Sequence, residues 1–350
     1  MSRAWKKIRP LLPRIVGLIV VPFIFYRLLT PIINKWDAVH PYLEQVRWDL
    51  LALACLMFAI NQYMTRLISW RIILAGLGYH LPRSASARIW VTSELARYIP
   101  GAIWQVVGRA ALAKPYGLPM TTCSVSQVLE LTFYLLANVM VAVATLSFMG
   151  SQIAEPRVQL ALRLATFLIP ALLILLHPRI FYPMVNMALR RIHRPPILTR
   201  LSGLRMVALM GLALGSVLWL GVAIWLATYS ILHVPFKDAW ILSGAYCLAW
   251  SAGFCMGFMA SGGLGIRELV LSAGLTLLLS NSMGTQLDPA TRMALLAAIA
   301  LMLRLWATTG ELIFAAFAYL WDWRNRTRAN APATAFTGAT SLPSTVTVDP

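Results

Sequence analysis

The chain has 350 residues, 59% of them hydrophobic and 12% charged, with a formal net charge of +18. A soluble domain carries about 25% charged and about 45–50% apolar residues, so the composition excludes a soluble nucleic-acid-binding domain and a disordered chain alike. With a mean hydropathy of +0.71, it reads as an all-α polytopic membrane protein with no room for a folded extramembrane domain.

Residues 1–14 form a basic N-terminal segment, expected on the cytoplasmic side. The apolar stretch that follows runs into Arg27 with no small-residue cleavage site, so it is expected to stay in place as a first span. A crossing needs about 20 mostly apolar residues. By that rule spans are expected near 15–34, 50–70, 124–149, 159–177, 206–231, 239–260, 264–281 and 292–320, eight in all. Arg66 and Arg163 fall near span ends and are expected to snorkel to an interface, while Arg27 either snorkels or marks a first span shorter than 15–34. Residues 90–113 are apolar, but Pro100-Gly101 interrupts them and Glu94, Arg97 and Arg109 charge them. This segment is expected to be a re-entrant hairpin, since broken backbone at membrane depth survives only under cover of protein or water. The basic stretch 178–205 reads as an interfacial helix or a solvated connector. Residues 321–350 are expected to be a cytoplasmic tail, disordered from about Ala329 onward, where Ala, Thr, Ser and Pro dominate.

Lysines and arginines orient the chain. Seventeen fall in the N-terminal segment, the loops after the second and fourth spans and the C-terminal end; five fall in the opposite loops. By the positive-inside rule both termini are cytoplasmic, which an even number of spans satisfies. The four cysteines show no CxxC pairing and the five histidines no metal-ligand spacing, so neither a metal nor a cofactor is expected.

Charges inside apolar segments are costly and mark pathways or sites. Eight stand out: Glu94, Arg97 and Arg109 in the hairpin, and Glu130, Arg267, Glu268, Arg304 and Glu311 in the spans. Four acids and four arginines can neutralise one another, as a buried cluster requires. Arg304 and Glu311, seven apart, share a helix face, whereas the neighbours Arg267 and Glu268 diverge by about 100° and need different partners. They follow Ser261-Gly262-Gly263-Leu264-Gly265-Ile266. A glycine-rich helix start exposes N–H groups and its dipole favours an anion, so Gly263, Gly265 and Arg267 are candidates to hold a phosphate or carboxylate. The plainer reading is a tight interhelical turn. Two Pro/Gly-broken segments, one in each half of the chain, are the pattern of a transporter built on an inverted repeat. Gly211/Gly215 and Gly253/Gly257 carry the GxxxG spacing of helix packing.

Ser93-Glu94-x-x-Arg97-Tyr98-x-Pro100-Gly101-x-x-Trp104 followed by Gly108-Arg109, then Glu130, the Gly262-Gly263-x-Gly265-x-Arg267-Glu268 turn and Arg304, resembles the lysylphosphatidylglycerol synthase transmembrane-region family over roughly residues 10–320. That family includes the flippase half of multiple peptide resistance factor. The resemblance implies a flippase-like domain over residues 15–320, without the soluble aminoacyltransferase domain and hence without synthase activity.

Together these features suggest a non-enzymatic lipid translocase of the bacterial inner membrane. Its partner is a phospholipid or glycolipid, whose polar or anionic head group would be held by Glu94, Arg97, Arg109, Glu130, Gly263, Gly265, Arg267, Glu268, Arg304 and Glu311. No Walker motif is present to use ATP, and a proton carried by Glu130 is one alternative energy source. A membrane-embedded transferase on a lipid-linked substrate, and a non-transporting partner of a lipid-biosynthetic enzyme, are the competing readings.

Overall fold

A chain this apolar satisfies its backbone N–H and C=O groups within helices, and every regular element among the described residues is helical. The computed structural model describes residues 12–98, 104–149, 156–175, 177–191, 201–256, 263, 265–279 and 288–329. Helix α1 (Leu12–Asn34) buries Ile24, Leu28 and Ile32, one residue per turn, and exposes Phe23, Tyr26 and Ile33. Arg27 lies on its exposed side. The short α2 (Trp36–Glu44) leads to α3 (Trp48–Gly76), which contains a π-helical turn at Gln62–Leu67.

Within the stretch expected to be a re-entrant hairpin, two helices pack on each other, α4 (Arg83–Leu95, extended by a 3-10 turn at Ala96–Tyr98) and α5 (Trp104–Ala113). Pro100 and Gly101 lie outside the described residues. Then come α6 (Met120–Met149), α7 (Pro156–Thr166), α8 (Leu168–Leu175), α9 (Pro178–Arg191), α10 (Gly203–Tyr229), α11 (Ala239–Cys255), α12 (Ile266–Leu279) and α13 (Pro289–Ala329). Asp288 caps α13: its carboxylate accepts from the Thr291 N–H at 3.2 Å and pairs with Lys35 at 3.4 Å. The bonds from Thr291, and then Lys35, hold the Asp288 carboxyl below its ordinary pKa.

Four helices, α3, α6, α10 and α13, are long and apolar enough to cross a membrane. The other expected spans differ in form. The stretch 159–177 is two short helices meeting at Phe167. At about 1.5 Å per residue, the 17 residues of α11 and the 14 of α12 among the described residues fall short of a full crossing. Past residue 320, where the C-terminal tail is expected to begin, α13 continues to Ala329. Its extension is pinned to α4, where Arg88 Nε meets the Asp322 carboxylate at 2.7 Å and Thr92 bonds the Tyr319 hydroxyl at 2.8 Å. Residues 330–350 lie outside the described residues.

Three apolar cores surround the centre. One joins α1, the start of α3 and the facing parts of α10 to α13. A second joins α6, α9 and the start of α10. A third joins the end of α3 to α4, α5 and the end of α13. Close helix approach depends on small residues, as where a Cβ at Gly244 would fall 2.4 Å from Thr145 Cβ. At Gly211/Gly215 no helix approach is seen: among the described residues neither glycine has a neighbour within 4 Å of where a Cβ would stand. Gly253 has a different job, described below, and Gly257 lies outside the described residues.

Candidate functional site

The charged residues come together where the three cores meet. On α4, Trp90, Ser93, Glu94 and Arg97 follow helical spacing and share one face. They face Gln105 and Arg109 of α5, Glu130 and Tyr134 of α6, and Arg66 of α3. Glu94 accepts hydrogen bonds from Arg66 Nη1 at 3.2 Å, Arg97 Nη1 at 2.9 Å and Arg109 Nη2 at 2.8 Å, and from Gln105. Glu130 accepts from Arg109 Nη1 at 2.6 Å, Arg66 Nη2 at 3.2 Å and Trp90 Nε1 at 3.2 Å. Arg109, fully buried, also donates from Nε to Ser93 Oγ at 2.8 Å. Arg97 reaches on to Glu311 of α13.

These six groups form a closed network of three arginines and three glutamates. Aromatic rings cover the flat faces of the guanidiniums. Arg66 sits between Trp90 and Tyr134, with ring centroids at 4.9 and 4.8 Å. Arg109 sits between Trp70 and Trp90, at 5.1 and 5.7 Å. Such cation–π contacts are worth about 2 kcal/mol or more where water is excluded.

Arg66 therefore corrects the sequence reading, which had it snorkelling near a span end. The helix continues to Gly76, so Arg66 is deep within it, 5% exposed, and neutralises Glu94 and Glu130. The side chain of Arg163, given the same expectation, lies outside the described residues.

A second group lies between α11, α12 and α13. Arg304 Nε stands 3.1 Å from the buried Glu268 carboxylate. Arg267, one residue before, lies over the Trp250 ring at 5.6 Å, so the two neighbours do take different partners. Among the described residues Arg267 meets no carboxylate, and its Nε is enclosed without a hydrogen-bond partner. Gly253 makes room for this side chain: a Cβ there would fall 2.2 Å from Arg267 Cγ. Gly263 and Gly265 take left-handed backbone, at φ 72° and 83°, which glycine adopts without strain. Gly263 also lies against the Gly253 carbonyl, and Gly265 packs on Ile24 of α1. Gly262 and Leu264 lie outside the described residues. Tyr246, Trp250, Arg267, Glu268 and Arg304 line a cleft whose empty space, its open side included, is about 330 Å³.

One hydroxyl joins the two groups. Tyr98 donates to Glu311 at 3.0 Å, and Arg97 Nη2 and Arg304 Nη2 each approach its oxygen at 3.5 Å.

No family model, no curated protein and no solved structure matches the chain.

The site thus stands on its own geometry. All ten residues singled out in the sequence border this region. Those the sequence reading missed are Arg66, Trp90, Tyr98, Gln105, Tyr134, Tyr246 and Trp250. A signal for two of them existed: Trp90 precedes Glu94 by four residues and Tyr134 follows Glu130 by four, so each aromatic shares its acid's helix face. The expected charge balance changes as well. With Arg66 included, five arginines face four glutamates, and Arg267 is the one with no carboxylate among the described residues. The cavity beside it can accept an anion without first breaking an ion pair.

Proposed function

We propose that the chain is an inner-membrane lipid translocase of the flippase type, with the charged cavity between α11, α12 and α13 receiving a polar or anionic lipid head group. The observation that carries this reading is Arg267: a cation among apolar helices, lining a cavity, with a ring on one side and no carboxylate among the described residues. A phosphate supplies the missing counter-charge and accepts bidentate bonds from a guanidinium. The resemblance to the lysylphosphatidylglycerol synthase transmembrane-region family supports the same reading.

In this proposal both termini are cytoplasmic. Eight segments enter the bilayer, the shorter α11 and α12 meeting at the broken glycine-rich stretch, and α4 and α5 form the re-entrant hairpin. The amphipathic α9 lies along the cytoplasmic surface, with Ile180, Met184 and Met187 exposed for contact with lipid. The neutral network at Glu94 and Glu130 acts as scaffold for the hairpin, and the excess positive charge at Arg267 does the binding.

The test is head-group exposure of fluorescent phosphatidylglycerol in proteoliposomes holding the full chain. Arg267→Ala is expected to slow transfer at least tenfold at equal protein content and unchanged melting temperature. Equal rates for wild type and Arg267→Ala would refute the assignment.

A further inference from the structure

The four long helices belong to two sets with one plan. In each set a long helix is followed by two short ones and then by a second long helix: α3, α4, α5, α6 and α10, α11, α12, α13. The stretch between the short helices holds Pro100-Gly101 in the first set and Gly262-Gly263 in the second. The packing repeats too. α3 lies on α10. α6 lies on α10 and α11, as α13 lies on α3 and α4, and each short pair packs on itself and on the long helix that follows it. Exchanging the two sets leaves this pattern unchanged.

The sets run in opposite senses. Beside the start of α3 is the end of α10, where the Arg47 N–H donates to the Ser230 carbonyl at 2.9 Å. At the far end of α3, Gly76 lies against Leu201, just before α10 begins. Arg88 of α4 meets Asp322 near the end of α13. The pair α4–α5 therefore enters from the Gly76 pole and α11–α12 from the Ser230 pole. Tyr98, at the inner end of α4, reaches Arg304, which borders the cleft beside the second pair.

The two pairs carry one motif in unlike conditions. In each, an arginine of the second arm lies over a tryptophan of the first: Arg109 over Trp90 at 5.7 Å and Arg267 over Trp250 at 5.6 Å. Arg109 is sealed by Glu94 and Glu130, whereas Arg267 faces a cleft. The cleft at Arg267 shares Tyr246 and Ala307 with an apolar one that reaches Phe58. A separate cleft touches Ser69, Glu130 and Ser216. Phe58 and Ser69 are roughly 16 Å apart along α3, so these clefts are displaced toward opposite poles. Halves built on one plan can trade conformations, and transporters alternate their access by doing so.

We infer that α4–α5 and α11–α12 are paired gates opening to opposite faces of the membrane. The arrangement seen holds α4–α5 shut through Glu94 and Glu130 and leaves α11–α12 open at Arg267. The exchanged arrangement closes the second pair over Arg267 and uncovers Arg109. This goes beyond the head-group reading and holds whatever the cleft receives.

The experiment is sided labelling of the full-length protein in sealed vesicles with a membrane-impermeant maleimide. Cys255, the exposed one of the four cysteines, is first replaced by serine, and that parent is the blank. Ser69→Cys and Ala307→Cys then serve as single reporters. They are expected to react from opposite faces. Reaction of both from one face overturns the inference, and so does a reporter that neither face reaches. Tyr98→Phe removes only the hydroxyl that ties α4 to Glu311 and Arg304. It should speed labelling at Ser69→Cys and slow it at Ala307→Cys, each by about three- to tenfold, the range of one net hydrogen bond. General loosening raises both rates, so changes of opposite sign are specific to exchange. Unchanged rates, or rates that move together, overturn the gating. No lipid substrate enters the assay, so its failure leaves the head-group reading to its own test.

Discussion

Glu94→Gln is the sharpest test of the buried network. Glu94 is the residue on which three arginines converge, Arg66, Arg97 and Arg109, with Gln105 as a fourth donor. Glutamine keeps the shape and one acceptor oxygen but removes the negative charge. The centre then holds five arginines and three glutamates, and the new amide N–H groups face guanidinium donors. Removing one partner from a buried ion pair costs about 3–5 kcal/mol, which lowers the folded-to-unfolded ratio by roughly two to four orders of magnitude. The assay is equilibrium unfolding in mixed micelles at increasing dodecyl sulfate. The double variant Glu94→Gln with Arg97→Gln restores the charge difference, and should recover at least about 1 kcal/mol relative to additivity. A single variant within about 1 kcal/mol of wild type, or strictly additive doubles, would refute the account of the network as a mutually neutralising unit.

Three further outcomes follow from individual contacts. Arg267→Gln should leave the same unfolding curve within about 1 kcal/mol of wild type, because no carboxylate is orphaned; a loss as large as that of Glu94→Gln would show a hidden partner. In Gly253→Ala the new methyl falls 2.2 Å from Arg267 Cγ, so phosphatidylglycerol binding should drop at least tenfold while stability falls by about 1–3 kcal/mol, the cost of overpacking. Gly263→Ala and Gly211→Ala form a contrasting pair in thermal melts. The first forces a methyl onto left-handed backbone beside a carbonyl, at about 1–3 kcal/mol. The second meets open space and should be neutral or up to about 1 kcal/mol stabilising.

The sequence made the charged centre legible because charge inside apolar segments is rare enough to be informative residue by residue. Glu94, Arg97 and Arg109 stood out beside a Pro-Gly break, and Arg267 and Glu268 beside a glycine-rich one, without any knowledge of their partners. Pairing was harder to read. Arg66 looked peripheral because hydropathy falls off after about residue 70, whereas helical winding and the pull of Glu94 and Glu130 carry the helix to Gly76. Likewise 159–177 has the hydropathy of one span, yet a break at Phe167 divides it. Hydropathy averages over a window and does not register a single interrupted turn. Gly211 and Gly215 fail for a related reason: spacing puts two glycines on one face but does not say whether another helix approaches that face.

The Tyr98 hydroxyl carries a consequence for regulation of the site. Its contacts to Arg97 and Arg304 are both long, at 3.5 Å, and long hydrogen bonds are weak. An anion drawn to Arg304 would therefore compete with Tyr98 for that guanidinium, and Tyr98 ends the 3-10 turn that extends α4. On the head-group proposal, occupancy of the cavity and placement of the Ala96–Tyr98 turn become thermodynamically linked through one exchangeable contact. Linkage is reciprocal: whatever shifts the hairpin alters affinity for the anion by the same factor that the anion alters the hairpin equilibrium. On that proposal the turn at Tyr98, more than 160 residues away in sequence from Arg267, holds a lever on the strength with which the cavity grips its ligand.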